Sequence, residues 1–292
     1  MDPNVHSTGS AVRATTTESY RRAIERVILA MRERLDEPLS LRDLAEVAII
    51  SPYHFDRVFR QMTGIPPCQF LGALRIQEAK RLLLTTRLRV TDICFEVGYN
   101  SLGSFLTRFT QLVGLTPRHL RRQAQGREGD LKQLFRSLQN EPAEVEEGCG
   151  GIKGEIFAPE EFGGVIFIGL FPTPIPQSKP SGCAVLTGSG SYFIPVTEEG
   201  THYVLAAGFP WTEDPMAHLM TETSELCVGS SAGPVTVKDG EVKGDMDIVM
   251  RPLSLMDPPL LTTPPLLLNS WEGDIQVMSE AGPRYATASA GD

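Results

Sequence analysis

One short segment of this chain occurs twice. Residues 51–67 read SPYHFDRVFRQMTGIPP, and residues 101–117 read SLGSFLTRFTQLVGLTP. Phe55, Phe59, Gln61, Met62, Gly64, Ile65 and Pro67 return as Phe105, Phe109, Gln111, Leu112, Gly114, Leu115 and Pro117, each shifted by fifty. Most of the retained residues are apolar or turn-forming, so what repeats is a packing unit: a short helix with an aromatic inner face, a glycine stop and a proline restart. Whatever this part folds into must hold two copies of one unit.

The charge of the chain is divided as sharply as its sequence. The net charge of -9 combines residues 1–136, with 21 Lys+Arg against 14 Asp+Glu, and residues 137–292, with 6 against 22. A basic half of net +7 before an acidic half of net -16 points to a polyanionic partner for the first half alone. With 292 residues, 41% hydrophobic and 22% charged, the chain has material for about two domains. Cys68, Cys94, Cys149, Cys183 and Cys227 make no CxxC pair and no His/Cys run at metal spacing, and read as reduced packing residues. The N-terminal stretch lacks an apolar core and no run is long enough to span a bilayer, so a cytoplasmic protein is expected, with no membrane partner.

Helical periodicity runs through the basic half. Ala23, Ile24, Val27, Ile28, Met31 and Leu35 form one stripe over residues 19–35. Ser40 caps a short helix carrying Leu41, Leu44, Ala45 and Ala48, with Asp43 completing a capping box. Ser51 caps the next helix, which has Pro52 at its first position, turns Phe55, Phe59 and Met62 inward and stops at Gly64. A longer helix follows over residues 67–84. The cycle then restarts with Val90, Ile93, Cys94 and Val97, and Gly98 is the natural left-handed stop before the second copy. Each copy is a helix-turn-helix pattern. A connecting helix of roughly 17 residues spans about 25 Å, enough with the helix bodies to hold two recognition helices about 34 Å apart, one turn of B-DNA.

The stretches LSLRDLAEVAIISPYHFDRVFRQMTGIPPCQFLGALRIQEAKRLLL and VTDICFEVGYNSLGSFLTRFTQLVGLTPRHLRR resemble the DNA-binding domain of the AraC/XylS family of bacterial transcription regulators over about a third of the chain. The resemblance implies a double helix-turn-helix domain over residues 18–125 that inserts two recognition helices into successive major grooves. With Phe55, Phe59 and Met62 inward, Tyr53, Asp56 and Arg57 are the candidate base readers of the first helix, Arg57 foremost because a guanidinium bonds a guanine edge bidentately. Asp56 either accepts from cytosine or orients Arg57. The second helix departs from the family pattern: Thr107 stands where Arg is frequent, and Leu102, Gly103, Ser104 and Thr107 form a weakly polar face with looser expected readout. His54, Arg60, Arg75, Lys80, Arg81, Arg108, Arg118, Arg121 and Arg122 are candidate phosphate contacts, with a structural ion pair as the alternative for Arg75.

Beyond residues 126–151, expected to be a linker with partial helix, the texture changes to Gly, Pro, Val and Thr with period-two alternation. Strands are expected at residues 154–157, 164–171, 182–186, 191–195, in GTHYVLAAGF and at 225–228, with a hairpin turning at Asp239-Gly240 whose second arm carries Val242, Gly244, Met246, Ile248 and Met250 on one face. The expected class is therefore multidomain: the all-α domain followed by an all-β antiparallel Greek-key sandwich over residues 152–254. YVLAA and VKDGEVKGDMDIVM give the latter a similarity to carboxypeptidase-regulatory or prealbumin-like modules. Residues 255–278 are Pro-rich and extended, lying along the sheet or pairing with another subunit. Residues 1–17 and 279–292 are expected to be disordered tails.

These residues point to a regulator rather than an enzyme. There is no G-x-S-x-G, P-loop or placeable carboxylate pair, and no PCHR-type cysteine motif. No cofactor and no metal are expected. Phe209, Trp211, Met216 and His218 either line an apolar ligand pocket or plug the end of the sandwich. The expected partners are double-stranded DNA, a small-molecule effector, RNA polymerase in the case of an activator, and a second copy of the chain. The alternative is a protein-interaction or effector-binding scaffold with largely non-specific DNA binding.

Overall fold

In the computed structural model, residues 7–126, 151–195, 199–211, 226–239, 241–262, 275–279 and 282–286 are described. The first of these ranges is wholly helical: α1 (Ser7–Glu33), α2 (Leu41–Ala48), α3 (Pro52–Thr63), α4 (Pro67–Thr85), α5 (Val90–Glu96), α6 (Leu102–Val113) and α7 (Pro117–Gly126). Helix α1 begins at Ser7, within the stretch 1–17 expected as a disordered tail. No proline interrupts residues 4–37, so a helix nucleated by the apolar stripe extends backward at little cost per residue.

Two cores form, and α4 belongs to both. The α1 stripe packs with Leu44, Ala45 and Ala48 of α2, Phe55 and Phe59 of α3, and Phe70, Leu71 and Leu74 of α4. Ile93, Cys94, Phe105, Phe109, Leu112 and Leu120 pack against the other side of α4 through Ala73, Ile76, Ala79, Leu82 and Leu83. The repeated aromatics do the same job in each copy: Phe55 and Phe59 meet edge-on at 5.6 Å between ring centres, as do Phe105 and Phe109 at 5.6 Å in a tilted pair.

The turn of each unit repeats bond for bond. In the first, Ile49 N–H bonds Glu46 O and Ile50 N–H bonds Ala45 O; in the second, Gly98 N–H bonds Phe95 O and Tyr99 N–H bonds Cys94 O. Both are Schellman motifs, which need a left-handed residue just past the helix. The second unit uses Gly98 (φ 81), while the first uses Ile49 (φ 59), a β-branched residue in a region that disfavours it. The difference has a steric cause. A Cβ at Gly98 would lie 2.2 Å from Leu35 O, whereas the Ile49 side chain is 87% exposed. Arg75 fills the same corner, donating to Leu35 O at 2.9 Å and Glu37 O at 2.6 Å and so satisfying carbonyls beyond the end of α1. The Ser40–Asp43 capping box is present, but Ser51 makes no side-chain cap; its counterpart Ser101 does, accepting from Ser104 N–H.

The sheet-rich half comprises β1 (Gly151–Phe157), β2 (Gly164–Phe171), β3 (Cys183–Leu186), β4 (Gly190–Pro195), β5 (Gly200–Pro210), β6 (Cys227–Ser230), β7 (Val235–Lys238), β8 (Glu241–Lys243), β9 (Ile248–Val249), β10 (Arg251–Pro252), β11 (Ile275–Ser279) and β12 (Gly282–Ala286). One sheet runs β4-β1-β9; the other runs β10-β6-β5-β2-β3-β11-β12, with the β7–β8 hairpin added on β5. Ile152, Ile156, Tyr192, Ile194 and Ile248 of the first face Ile166, Ile168, Leu170, Ala184, Val204 and Ala206 of the second, which makes a sandwich core.

Three expectations change here. The sandwich is not wholly antiparallel, because β9 pairs parallel with β1 and β11 parallel with β3. The single long arm expected after Asp239 breaks after Lys243, where Gly244 (φ 140) turns the chain from one sheet to the other, and the Asp247 carboxylate accepts from Glu155 N–H at 2.9 Å beside the new pairing. Residues 275–279 and 282–286, expected as the end of the extended segment and part of a disordered tail, form the β11–β12 hairpin, whose pairing with β3 occupies an otherwise open sheet edge. The expected linker helix falls at 127–150, outside the described residues.

The two halves interlock. Loop 172–182 inserts Ile175 (1% exposed) into the first helical core, and segment 253–262 inserts Leu261 (0% exposed) into the second. Pro176 O accepts from both Leu261 N–H and Thr262 N–H at 3.3 Å, which joins the two segments, and Ser178 N–H bonds Leu112 O in α6 at 2.5 Å. Lys80 of α4, 1% exposed, donates to Leu260 O at 3.1 Å and Thr262 O at 3.2 Å. This described part of the Pro-rich segment thus lies against its own chain. Burial of the two pegs contributes roughly 3–6 kcal/mol.

Replacing Ile49 with Gly should raise stability by about 1 kcal/mol, while Gly98→Ala should lower it by about 3 kcal/mol, as read by denaturant unfolding. Burial also pushes the Lys80 ammonium down to about 7. Between that value and the ordinary lysine range, the unfolded chain binds a proton that the folded chain does not, so stability rises with pH. A neutral amine keeps two hydrogens for the two carbonyls. The melting temperature of wild type relative to Lys80→Met should therefore climb between pH 7 and 9.5; a constant difference would show that Lys80 stays charged when buried.

Candidate nucleic-acid interface

Helix α3 buries Phe55, Val58, Phe59 and Thr63, packs Met62 against the same core and turns Tyr53, Arg57 and Arg60 to solvent. Tyr53 at its first turn is 86% exposed, and Arg57 one turn on is also exposed. Arg57 does not stand alone. Its guanidinium, which can only donate, bonds His54 Nδ1 at 3.1 Å. That fixes the imidazole hydrogen on Nε2, which donates to the Tyr20 hydroxyl of α1 at 2.9 Å, with the two rings edge-on at 5.4 Å. Asp56 is engaged elsewhere, paired with Arg60 at 3.0 Å, and so does not orient Arg57. His54, half-buried, is better placed to position Arg57 than to meet a phosphate. Tyr20 was not legible as a site residue, because it lies 34 positions away from His54 and carries no local signal.

Helix α6 presents a blander surface. Gly103, Ser104 and Thr107 are exposed and share a shallow cleft with Tyr99, Arg108 and Gln111. Leu102, expected among the base contacts, packs against the second core and is only partly available.

The expected phosphate contacts separate into two groups. Arg60, Arg81, Arg108, Arg118 and Arg122 have side chains that reach solvent, although Arg60 is paired with Asp56 and Arg81 with Glu78 at 2.6 Å. Lys80, Arg75 and Arg121 do not serve this purpose. Lys80 is held inside by the 253–262 segment, Arg75 holds the carbonyls following α1, and Arg121 donates to Leu83 O at 3.0 Å and Leu88 O at 2.8 Å at the end of α4. Arg75 and Arg121 supply donors to carbonyls at and just beyond helix ends, and Lys80 supplies them to the carbonyls of an irregular segment.

The proposed ligand residues of the sheet domain fare no better as a pocket. Phe209 is fully buried against the Phe167 ring at 5.5 Å, and Trp211 packs beside it; Met216 and His218 lie outside the described residues. Among the described residues no group of three His, Cys, Asp or Glu is arranged to hold a metal ion, and no helix is long and apolar enough to cross a membrane.

The family model described as "Helix-turn-helix domain" matches residues 44–123, both units together. The HTH-type transcriptional activator AarP of Providencia stuartii is 33% identical over 101 residues, covering 35% of this chain and 75% of AarP. The chain belongs to the AraC family of transcriptional regulators. Its helical half is thus an AraC-type DNA-binding domain, followed by a sheet-rich region. The bifunctional transcriptional activator/DNA repair enzyme AdaA of Bacillus subtilis is 34% identical over 85 residues, and the chain spans only 40% of AdaA's length. The solved DNA-binding domain of AdpA, in complex with a target DNA, is 30% identical; it covers 36% of this chain and 96% of that domain, with a TM-score of 0.35. Tyr20→Phe, which removes only the hydroxyl that anchors His54 in this AraC-type domain, should weaken binding to a cognate duplex about 2- to 10-fold while leaving thermal stability nearly unchanged, measured by fluorescence anisotropy beside a melt.

Proposed function

We propose that this regulator reads DNA with α3 and α6 in successive major grooves, and that α3 supplies most of the sequence discrimination. The observation that carries the reading is the equivalence of the two units: turns with the same hydrogen-bond pattern, glycine caps alike at Gly64 (φ 78) and Gly114 (φ 83), and matching aromatic cores on opposite sides of α4. Two units so matched in backbone but not in surface are suited to one job at two places with unequal specificity. Tyr53, Asp56 and Arg57 face the bases of the first box; Gly103, Ser104 and Thr107 meet the second through methyl, hydroxyl and shape contacts. Arg108, Arg118 and Arg122 sit on phosphates, joined by Arg60 and Arg81 once their carboxylate partners yield. The protein performs no catalysis in this reading, and the sheet domain regulates or pairs the DNA-binding domain in a cytoplasmic setting.

About five phosphate contacts give a slope near -4.5 for log K against log salt. Arg57→Ala should lose about 1–3 kcal/mol of discrimination at one base pair with the slope nearly unchanged. Binding titrations on matched and single-mismatch duplexes at several salt concentrations check both. An equal loss on every sequence would move Arg57 to the backbone, equal affinity for matched and mismatched duplexes would favour the scaffold alternative, and a flat salt response would remove DNA from the account.

A further inference from the structure

The larger sheet has a second face, away from the sandwich core. Part of it is covered by Leu226, Leu253 and Leu260, but between this face and the two interlocking segments a cavity of about 460 Å³ stays open. Its floor is Phe167, Phe171, Tyr203, Leu205 and Val228; its walls are prolines, among them Pro176 and Pro258, and one side reaches Gly64, the left-handed cap of α3. Among the described residues of the lining the charged side chains are Arg251 and Asp257, and they satisfy each other through two bonds of 2.7 and 2.5 Å. Cys183, also in the lining, has its thiol pushed up to about 12 by burial and stays uncharged. Volume and lining are those of a small-molecule site rather than a packing defect, and an ionised ligand would find no unspent countercharge there.

We infer that this cavity binds a neutral, largely aromatic small molecule, and that its occupancy sets the relation between the two helix-turn-helix units. The coupling runs through the walls. Pro176 belongs to the loop whose Ile175 is pegged into the first unit, and Leu260 adjoins Leu261, pegged into the second; the Pro176 carbonyl ties the two segments together. A molecule lodged between them acts on both pegs at once, and on α4 through the bonds from Lys80 to Leu260 and Thr262. Two DNA boxes must be met at fixed spacing, so a small change between the units alters affinity. This extends the regulatory role proposed above for the sheet domain and rests on it.

The test uses the full chain with prodan, a neutral naphthalene fluorophore, and a duplex recovered from a random pool with the same protein. Leu205 and Val228 are half-buried on the cavity floor, so Leu205→Trp and Val228→Trp each fill it without entering the sandwich core. Prodan should bind wild type with a blue-shifted emission, and either variant that retains the wild-type melting profile should weaken it by at least about tenfold. Saturating prodan should change duplex affinity by about fivefold or more in wild type and leave the variants unaffected. Equal prodan affinity in wild type and both variants would overturn the site while leaving the regulatory reading of the domain standing. Prodan lost from the variants but without effect on duplex affinity would overturn the coupling and, with it, that regulatory reading.

Discussion

Everything in this protein is hung on one helix. Helix α4 contributes Phe70, Leu71 and Leu74 to the first core, and Ala73, Ile76, Ala79, Leu82 and Leu83 to the second, which leaves only a narrow stripe through Glu78, Arg81 and Thr85 to solvent. A helix apolar on several sides must be enclosed. The helix-turn-helix units enclose two sides, and the 253–262 segment covers Lys80 on another. Helix α4 lies between the units that carry α3 and α6, and its environment includes the sheet domain.

The two units show how a duplicated fold diverges without losing its frame. Burial holds the aromatic pairs and glycine caps constant, because a change there opens a cavity or strains a turn. The solvent-facing positions carry no such constraint and have drifted to Tyr53 and Arg57 in one copy and to Gly103 and Thr107 in the other. Even the turns differ according to their neighbours: Gly98 lies against the Leu35 carbonyl, while Ile49 has open space and tolerates a strained backbone.

Much of this was readable from the chain. Periodicity placed the helices, and the repeat identified the units, because the inward residues of a short amphipathic helix are dictated by its own spacing. Strand β2 was expected at residues 164–171 and is found there, a run buried along its whole length. What escaped was whatever depends on distant partners. Lys80, Arg75 and Arg121 look like surface cations on a basic domain, yet each donates to carbonyls 33 or more residues away. Tyr20 reaches His54 only through the packing of α1 on α3. The breaking of the β8 arm at Gly244 was likewise hidden, since alternation persists across the break: Met246, Ile248 and Met250 still serve the same core from another sheet.

The sheet domain adds a physical link between the two cores of the AraC-type domain. Ile175 and Leu261 complete those cores from outside, and the cavity lies between the segments that carry them. Specific recognition, in this account, requires both units to engage one face of the duplex together. Hydroxyl-radical footprinting on a duplex selected by the full chain tests this most directly: two protected patches centred about 10 bp apart on one face are predicted, and a single patch, or diffuse protection without register, would contradict it.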